Sequence, residues 1–379
     1  MALRNTAVLL LIFILATFAI PLIAFVGENN LVLPTDALDS SQTAPVANPE
    51  DPGLQWPYSG SDRGPEGAGA STEERPADEP TDEPADEIVT VLSLSSGREF
   101  RYYDLSEKRV KSISAEDYVR GALAAEMPAS FHMEALKAQA VSAHTYALYC
   151  AEIADRAGAD YDFTADPKNR EGFITAEQAG EYFGSQYSYY WSRICAAADV
   201  AFDYVMVYDG EPILAAYHAS SVGVTEAAEN VWPNSVPYLV PVESEGDPLS
   251  PGYSTSTSMT SSAVRAALVD YFDGIELAED PEGWIEPLEH SSSGYMTLAR
   301  VGDMEVHGSE LRFALSLRSS AMEIDYEGGT FRFTTTGYGH GVGLSQYGAD
   351  YMAHQGSTFD EILTHYYPGA TLAMFVYLE

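Results

Sequence analysis

The chain has 379 residues, 57 acidic against 19 basic, a formal net charge of −38, and 46% hydrophobic residues. That charge excludes a nucleic-acid binder, which needs a basic stripe to displace counterions from phosphates, and disfavours docking on anionic lipid headgroups. Two cysteines cannot build a disulfide framework or a multi-cysteine zinc site.

Thr6 to Val26 is an uncharged apolar run. At 1.5 Å per residue it is long enough to cross a bilayer, and Pro21 near one end is tolerable. A cleaved signal peptide would have a shorter apolar stretch ending in small residues, whereas this run ends IAFVGENN. The expectation is an uncleaved anchor over residues 1–27. Arg4 precedes the span and only acidic residues follow it closely, so the N-terminus is expected in the cytoplasm and the rest outside. Residues 28–87 hold 9 of the 21 prolines and acidic repeats such as DEPTDEPADE. They are expected to form a self-repelling, disordered tether.

The remainder, 88–379, is also acidic, which argues against a polyanionic substrate such as teichoic acid. Alternation from Ile88 to Tyr103 around Ser-Ser-Gly predicts a hairpin. Ser114 caps a predicted helix over SAEDYVRGALAAEM, with Asp117 at the capping-box position and Tyr118, Ala122, Ala125 and Met127 facing inward. Pro128 stops it. A second helix is predicted from Met133 to Ile153. Residues 154–190 are expected to be irregular. Residues 194–217 are expected in strands with a turn at DGEP, 209–212. Ser250 to Ser262 is expected as a polar loop, followed by a helix to Phe272. Strands are expected within 296–333, including LRFALSL at 311–317, and helical segments within 343–367. The mixed, non-alternating order predicts a single α+β domain.

Glu126 lies at a helix end among Ala, Met, Pro and Phe. A carboxyl in such surroundings resists ionisation and can keep a proton for general acid chemistry, although most carboxylates are simply solvated. Lys137, Gln139 and His144 follow on the next helix. The stretch 217–232, YHASSVGVTEAAENVW, offers Ser220 and Ser221 without the G-x-S-x-G elbow of a serine hydrolase. GYGHGVGLSQYGA, 337–349, places glycine at alternate positions around His340 and continues to Gln346. Glycine at that density lets backbone approach a ligand, and His340 is a ligand, a substrate contact or a structural histidine. The histidines are scattered without zinc spacing. Cys150 and Cys195 could form a disulfide or remain two buried thiols.

In order along the chain, four blocks resemble the stage II sporulation protein D family. They are ISAEDYVRGALAAEMPASFHMEALKAQAVSAHTYAL (113–148), FDYVMVYDGEPILAAYHASSVGVTEAAENVWPNSVPYLVPVES (202–244), GSELRFALSLRSSAMEI (308–324) and GYGHGVGLSQYGADYMAHQGSTFDEILTHYYPGATL (337–372). The resemblance implies a peptidoglycan lytic transglycosylase acting on glycan strands during forespore engulfment. It implies an amidase that first strips the stem peptides, and a membrane scaffold protein, as partners. By the same resemblance Glu126 is the catalytic acid and Lys137 is functionally important. The candidate substrate contacts are Lys137, Gln139, His144, Ser220, Ser221, His340 and Gln346, with no metal and no cofactor expected. Related domains enhance cell-wall amidases, so a glycan-binding, non-cutting role is the alternative. Two departures stand out: His144 occupies a position where the family usually has Arg, replacing a permanent charge by one expected to titrate near neutrality, and Val222 occupies the first glycine of an HxSSGG pattern.

Overall fold

The computed structural model describes residues 98–375. The expected membrane span and tether lie outside these residues, and so does the first half of the expected hairpin. No helix among the described residues is long and apolar enough to cross a membrane.

The described chain is α+β with small sheets. Strand β1 (Glu99–Asp104) pairs antiparallel with β2 (Arg109–Ser114). RVKSIS has no apolar alternation, so its hairpin with 99–104 was not anticipated. Ser114 then caps α1 (Ala115–Glu126): its hydroxyl accepts the Asp117 N–H at 3.0 Å. Helix α1 stops at Met127, before Pro128. Helix α2 (Met133–Ala157) starts at His132 and ends at Gly158, which takes the left-handed conformation at φ 65°.

After the short β3 (Phe163–Ala165), parallel to β1, come α3 (Ala176–Phe183) and α4 (Tyr187–Ala201). These helices correct the expectation of an irregular 154–190 and of strand from 194. A reciprocal cap between Thr175 and Gln178 starts α3. Strands β4 (Tyr204–Tyr208) and β5 (Glu211–Pro212) form the expected hairpin, with Asp209 and Gly210 both at positive φ in its turn. Strand β6 (Tyr217–His218) follows.

Strand β7 (Ser254–Thr260) overturns the expected polar loop. It pairs with a later strand through Ser and Thr, Thr255 to Thr335 at 3.1 Å and Ser256 to Thr334 at 2.9 Å between hydroxyl oxygens, so polar residues fill a mostly exposed strand. Helix α5 (Ser261–Tyr271) comes next, then strands β8 (Ile285–His290), β9 (Met296–Val301) and β10 (Met304–His307). LRFALSL lies mostly in a helix, α6 (Gly308–Ala314), not a strand. Its N-terminus is closed by Glu310, whose carboxylate accepts the His307 N–H at 2.8 Å, and Leu311 and Leu315 turn inward. Strands β11 (Met322–Glu327) and β12 (Thr330–Thr336) complete this part.

The chain closes with β13 (Leu344–Ser345), α7 (Gln346–His354), α8 (Phe359–Tyr366) and β14 (Thr371–Met374). β13 pairs parallel with β6, and β14 pairs antiparallel with β4.

The described residues hold two main apolar cores. The first gathers α1, α2, α4, α7 and α8 around β1, β4 and β6, and its helix contacts are rich in alanine (Ala122, Ala125, Ala135, Ala143, Ala197). The second lies wholly within 264–333 and is built on Phe331, Phe333, Trp284 and Leu311. That second part leaves and rejoins the first at one place, since Ser254 pairs with Thr336 and Gly337 N–H donates to Tyr253 O at 2.8 Å. This division into two cores departs from the single core expected of one α+β domain. Cys150 and Cys195 are both free thiols; burial pushes Cys150 up to about 12, so it stays protonated and inert.

Candidate active site around Glu126

Glu126 is the last residue of α1 and is 7% exposed. Its neighbours along the helix, Leu123, Ala124, Ala125 and Met127, are buried and apolar. The turn after it, 128–132, is held from two sides. Arg193 on α4 donates from Nε to Ala129 O at 2.8 Å and from Nη2 to Phe131 O at 2.5 Å. Asp350 on α7 accepts the His132 N–H at 2.7 Å. The position of Glu126 is therefore fixed by residues more than sixty positions away.

Two buried phenols share its field. Burial pushes the hydroxyls of Tyr118 and Tyr217 well above the usual tyrosine range, and the Glu126 charge adds to the rise in both. Both hydroxyls are therefore neutral donors, and neither makes a hydrogen bond among the described residues. Both atoms of the Gln139 amide are also buried without a hydrogen-bond partner there. Gln139 shares a face of α2 with Ser142 and Tyr146. Ser142 accepts from Tyr367 OH at 3.3 Å, and Tyr146 is coupled to Tyr118, so this face points at the same group of rings. An unsatisfied buried donor or acceptor costs about 1–3 kcal/mol. Tyr118, Tyr217 and Gln139 each carry that cost among the described residues.

Tyr217 reaches this group because β6 is pinned by the glycine-rich stretch. Leu344 N–H donates to Ala216 O at 3.0 Å, and a Cβ on Gly343 (φ 73°) would lie 2.1 Å from that same carbonyl oxygen. At Gly341 (φ 83°) it would lie 2.4 Å from Tyr295 OH. Gly341 and Gly343 thus bring backbone close against the protein's own chain.

The other candidate contacts separate. Lys137 is partly exposed; its ammonium lies 2.6 Å from Glu134 Oε1 and 5.8 Å from the Phe359 ring centroid. His340 is 5% exposed and its Nδ1 accepts the Val342 N–H at 3.0 Å. Ser220 exchanges two backbone hydrogen bonds with Tyr338, at 3.1 and 2.7 Å. Gln346 is buried at the start of α7. Ser221 is fully buried and spent on structure: its N–H and Oγ both donate to Asp247 Oδ2, at 2.7 and 2.5 Å. Ser345 Oγ donates to the other Asp247 oxygen at 2.5 Å.

His144 corrects the expectation of a substrate contact titrating near neutrality. It is 3% exposed, its Nδ1–H donates to Ala201 O at 2.6 Å, and its ring packs against Phe100, Phe202 and Phe375. Burial lowers it to about 4, so it is a neutral core residue. Val222 is also accommodated. The positive φ of that turn falls on Gly223 (98°), so the preceding position needs no glycine.

Tyr118 reads from sequence only as an inward-facing core residue, and Tyr217, Arg193 and Asp247 carry no site signal there. A tyrosine inside an alanine-rich helix stripe was the available signal at 118, because its hydroxyl needs a partner when buried. Among the described residues no group of three or more His, Cys, Asp or Glu is arranged to hold a metal.

Comparison with known proteins bears on what such a site does. The stage II sporulation protein family model matches residues 103–208. Stage II sporulation protein D of Bacillus amyloliquefaciens is 34% identical over 274 residues, covering 72% of this chain and 77% of that protein. The Bacillus subtilis (strain 168) protein of the same name is 31% identical over 273 residues, 72% and 78% of the two chains. The amidase enhancer of Bacillus subtilis (strain 168) is 29% identical over 306 residues, 68% of this chain and 40% of the enhancer.

Proposed function

The chain belongs to the stage II sporulation protein D family, which gives it a sporulation-related cell-wall role, and within that role we propose that it is a peptidoglycan lytic transglycosylase. The bond cut joins N-acetylmuramic acid to N-acetylglucosamine. The observation that carries the reading is the buried Glu126 carboxyl at the end of α1, sharing its field with the neutral phenols of Tyr118 and Tyr217.

Glu126 in its acid form gives its proton to the glycosidic oxygen as the C1–O bond of the muramic sugar breaks. Positive charge develops at C1, and the new carboxylate stabilises it. That carboxylate then removes the proton of the same sugar's C6 hydroxyl, whose oxygen bonds to C1. The products are a 1,6-anhydromuramic end and a free 4-hydroxyl, and Glu126 is protonated again. The nucleophile is tethered within the substrate, so no second carboxylate is required to activate water. Neutral donors around the carboxyl fit the task, since they bind hydroxyls without holding Glu126 in its anionic form as a fixed cation would.

Lys137, Gln139, Ser220, His340 and Gln346 remain proposed contacts to the glycan; His144 and Ser221 belong to the framework. We place the described part outside the membrane, on the anchor expected at residues 6–26, with a stem-peptide amidase and a membrane scaffold protein as partners. The amidase enhancer relative supports a second reading, in which the chain binds glycan and stimulates an amidase without cutting. Mass spectrometry of stem-peptide-free glycan, incubated with wild type or Glu126→Gln, separates the two: anhydro ends that depend on Glu126 support the first.

A further inference from the structure

Successive residues of a strand face opposite ways. In β6, Tyr217 is coupled to Glu126, while its neighbour His218 is in ring contact with His340 at 5.8 Å between centroids. His340 in turn meets Trp232 at 5.3 Å. All three side chains are at least nine-tenths buried. His218 Nδ1 lies 3.1 Å from Val342 O, and a carbonyl only accepts, so Nδ1 carries the proton. Burial, aided by His340, lowers His218 to about 3, so its ring is neutral and Nε2 is a bare acceptor. That Nε2 has no hydrogen-bond partner among the described residues, and the buried Trp232 indole N–H has none either.

We infer that His218, Trp232 and His340 form a subsite for the acetamido group of an N-acetylated sugar. An acetamido group offers one N–H, which His218 Nε2 would accept, and one C=O, which the indole N–H would donate to. Its methyl suits the three aromatic rings. A plain hydroxyl would leave the rings without an apolar partner. The inference rests on the glycan reading and adds recognition of the C2 substituent of a sugar other than the one cut, because Tyr217 and His218 face opposite sides of β6.

The test uses the full chain and calorimetric titration with two neutral pentamers. One is β-1,4-linked N-acetylglucosamine; the other is cellopentaose, which carries hydroxyl in place of acetamido. Wild type is expected to bind the acetylated pentamer at least tenfold more tightly. Trp232→Phe keeps a ring and removes the N–H. His218→Asn keeps an N–H for Val342 O and removes the Nε2 acceptor. Each variant is expected to lose most of that preference, about tenfold, while cellopentaose affinity stays within about twofold. Unchanged preference in a folded Trp232→Phe overturns the inference, as it would if the two groups merely held a water. If that variant does not fold, His218→Asn decides by the same criterion. Wild type that cuts glycan yet binds both pentamers equally overturns the inference and leaves the transglycosylase reading standing. Wild type that neither binds nor cuts removes both.

Discussion

Arg193 holds the carbonyl of Ala129 at 2.8 Å from its Nε, and through it the turn that follows Glu126. The guanidinium also reaches Phe131 O, so a planar fork bridges both carbonyls. Arg193→Met should leave the fold intact but lower stability by about 1–2 kcal/mol, because two charge-assisted hydrogen bonds at a partly exposed site are lost. It should also reduce release of anhydro ends by tenfold or more, through misplacement of the carboxyl. Thermal melts with a glycan-release assay check both. Full activity in the variant would show that the turn needs no clamp.

Tyr217→Phe removes a buried hydroxyl that has no hydrogen-bond partner among the described residues. Stability should change by no more than about 0.5 kcal/mol, or rise, since no such bond is broken. Cleavage should fall about tenfold if the hydroxyl serves the substrate. Chemical denaturation and product counting read the two effects separately; a large loss of stability with normal turnover would reverse the assignment.

His144 makes acid stability predictable. Its folded value of about 4 lies below the reference 6.5, so the unfolded chain binds more protons between the two. The stability it contributes is fully present above pH 6.5 and is lost as pH falls toward 4. From pH 7 to pH 4.5 wild type should lose about 2–3 kcal/mol through this residue, and His144→Gln should lack that part of the slope. Urea unfolding at the two pH values measures it, and parallel slopes would contradict the burial. His144→Arg should lower the melting temperature, because a permanent charge enters a pocket of phenylalanine rings.

Gly343→Ala would put a methyl 2.1 Å from Ala216 O at a positive φ. A loss of about 3 kcal/mol or more is expected, with β6 displaced and Tyr217 with it. A circular dichroism melt close to that of wild type would mean that β6 is not pinned there.

Local signals carried part of the fold. Ser114 and Pro128 bracket α1 as read, and α2 follows its apolar spacing. Elements whose stability comes from partners were hidden. STSTSMT resembles a loop until Thr255 and Ser256 meet Thr335 and Thr334 across a sheet. The Thr175–Gln178 cap of α3 is a local signal, but it sits in a segment whose Asp, Gly and Tyr content reads as loop. For the candidate site, Glu126 was legible as a carboxyl among apolar residues. Tyr217 and Arg193 were not, because they meet its neighbourhood only through tertiary packing of β6 and α4.

Glu126 carries the proposed chemistry. The most direct measurement is mass spectrometry of stem-peptide-free glycan strands after incubation with the full chain, wild type against Glu126→Gln. The prediction is 1,6-anhydromuramic ends from wild type and none above background from the variant, with both proteins folded and both retaining glycan in a pull-down. Anhydro ends from both would remove Glu126 as the acid. Their absence from a wild type that still binds glycan would contradict the transglycosylase reading and favour the enhancer.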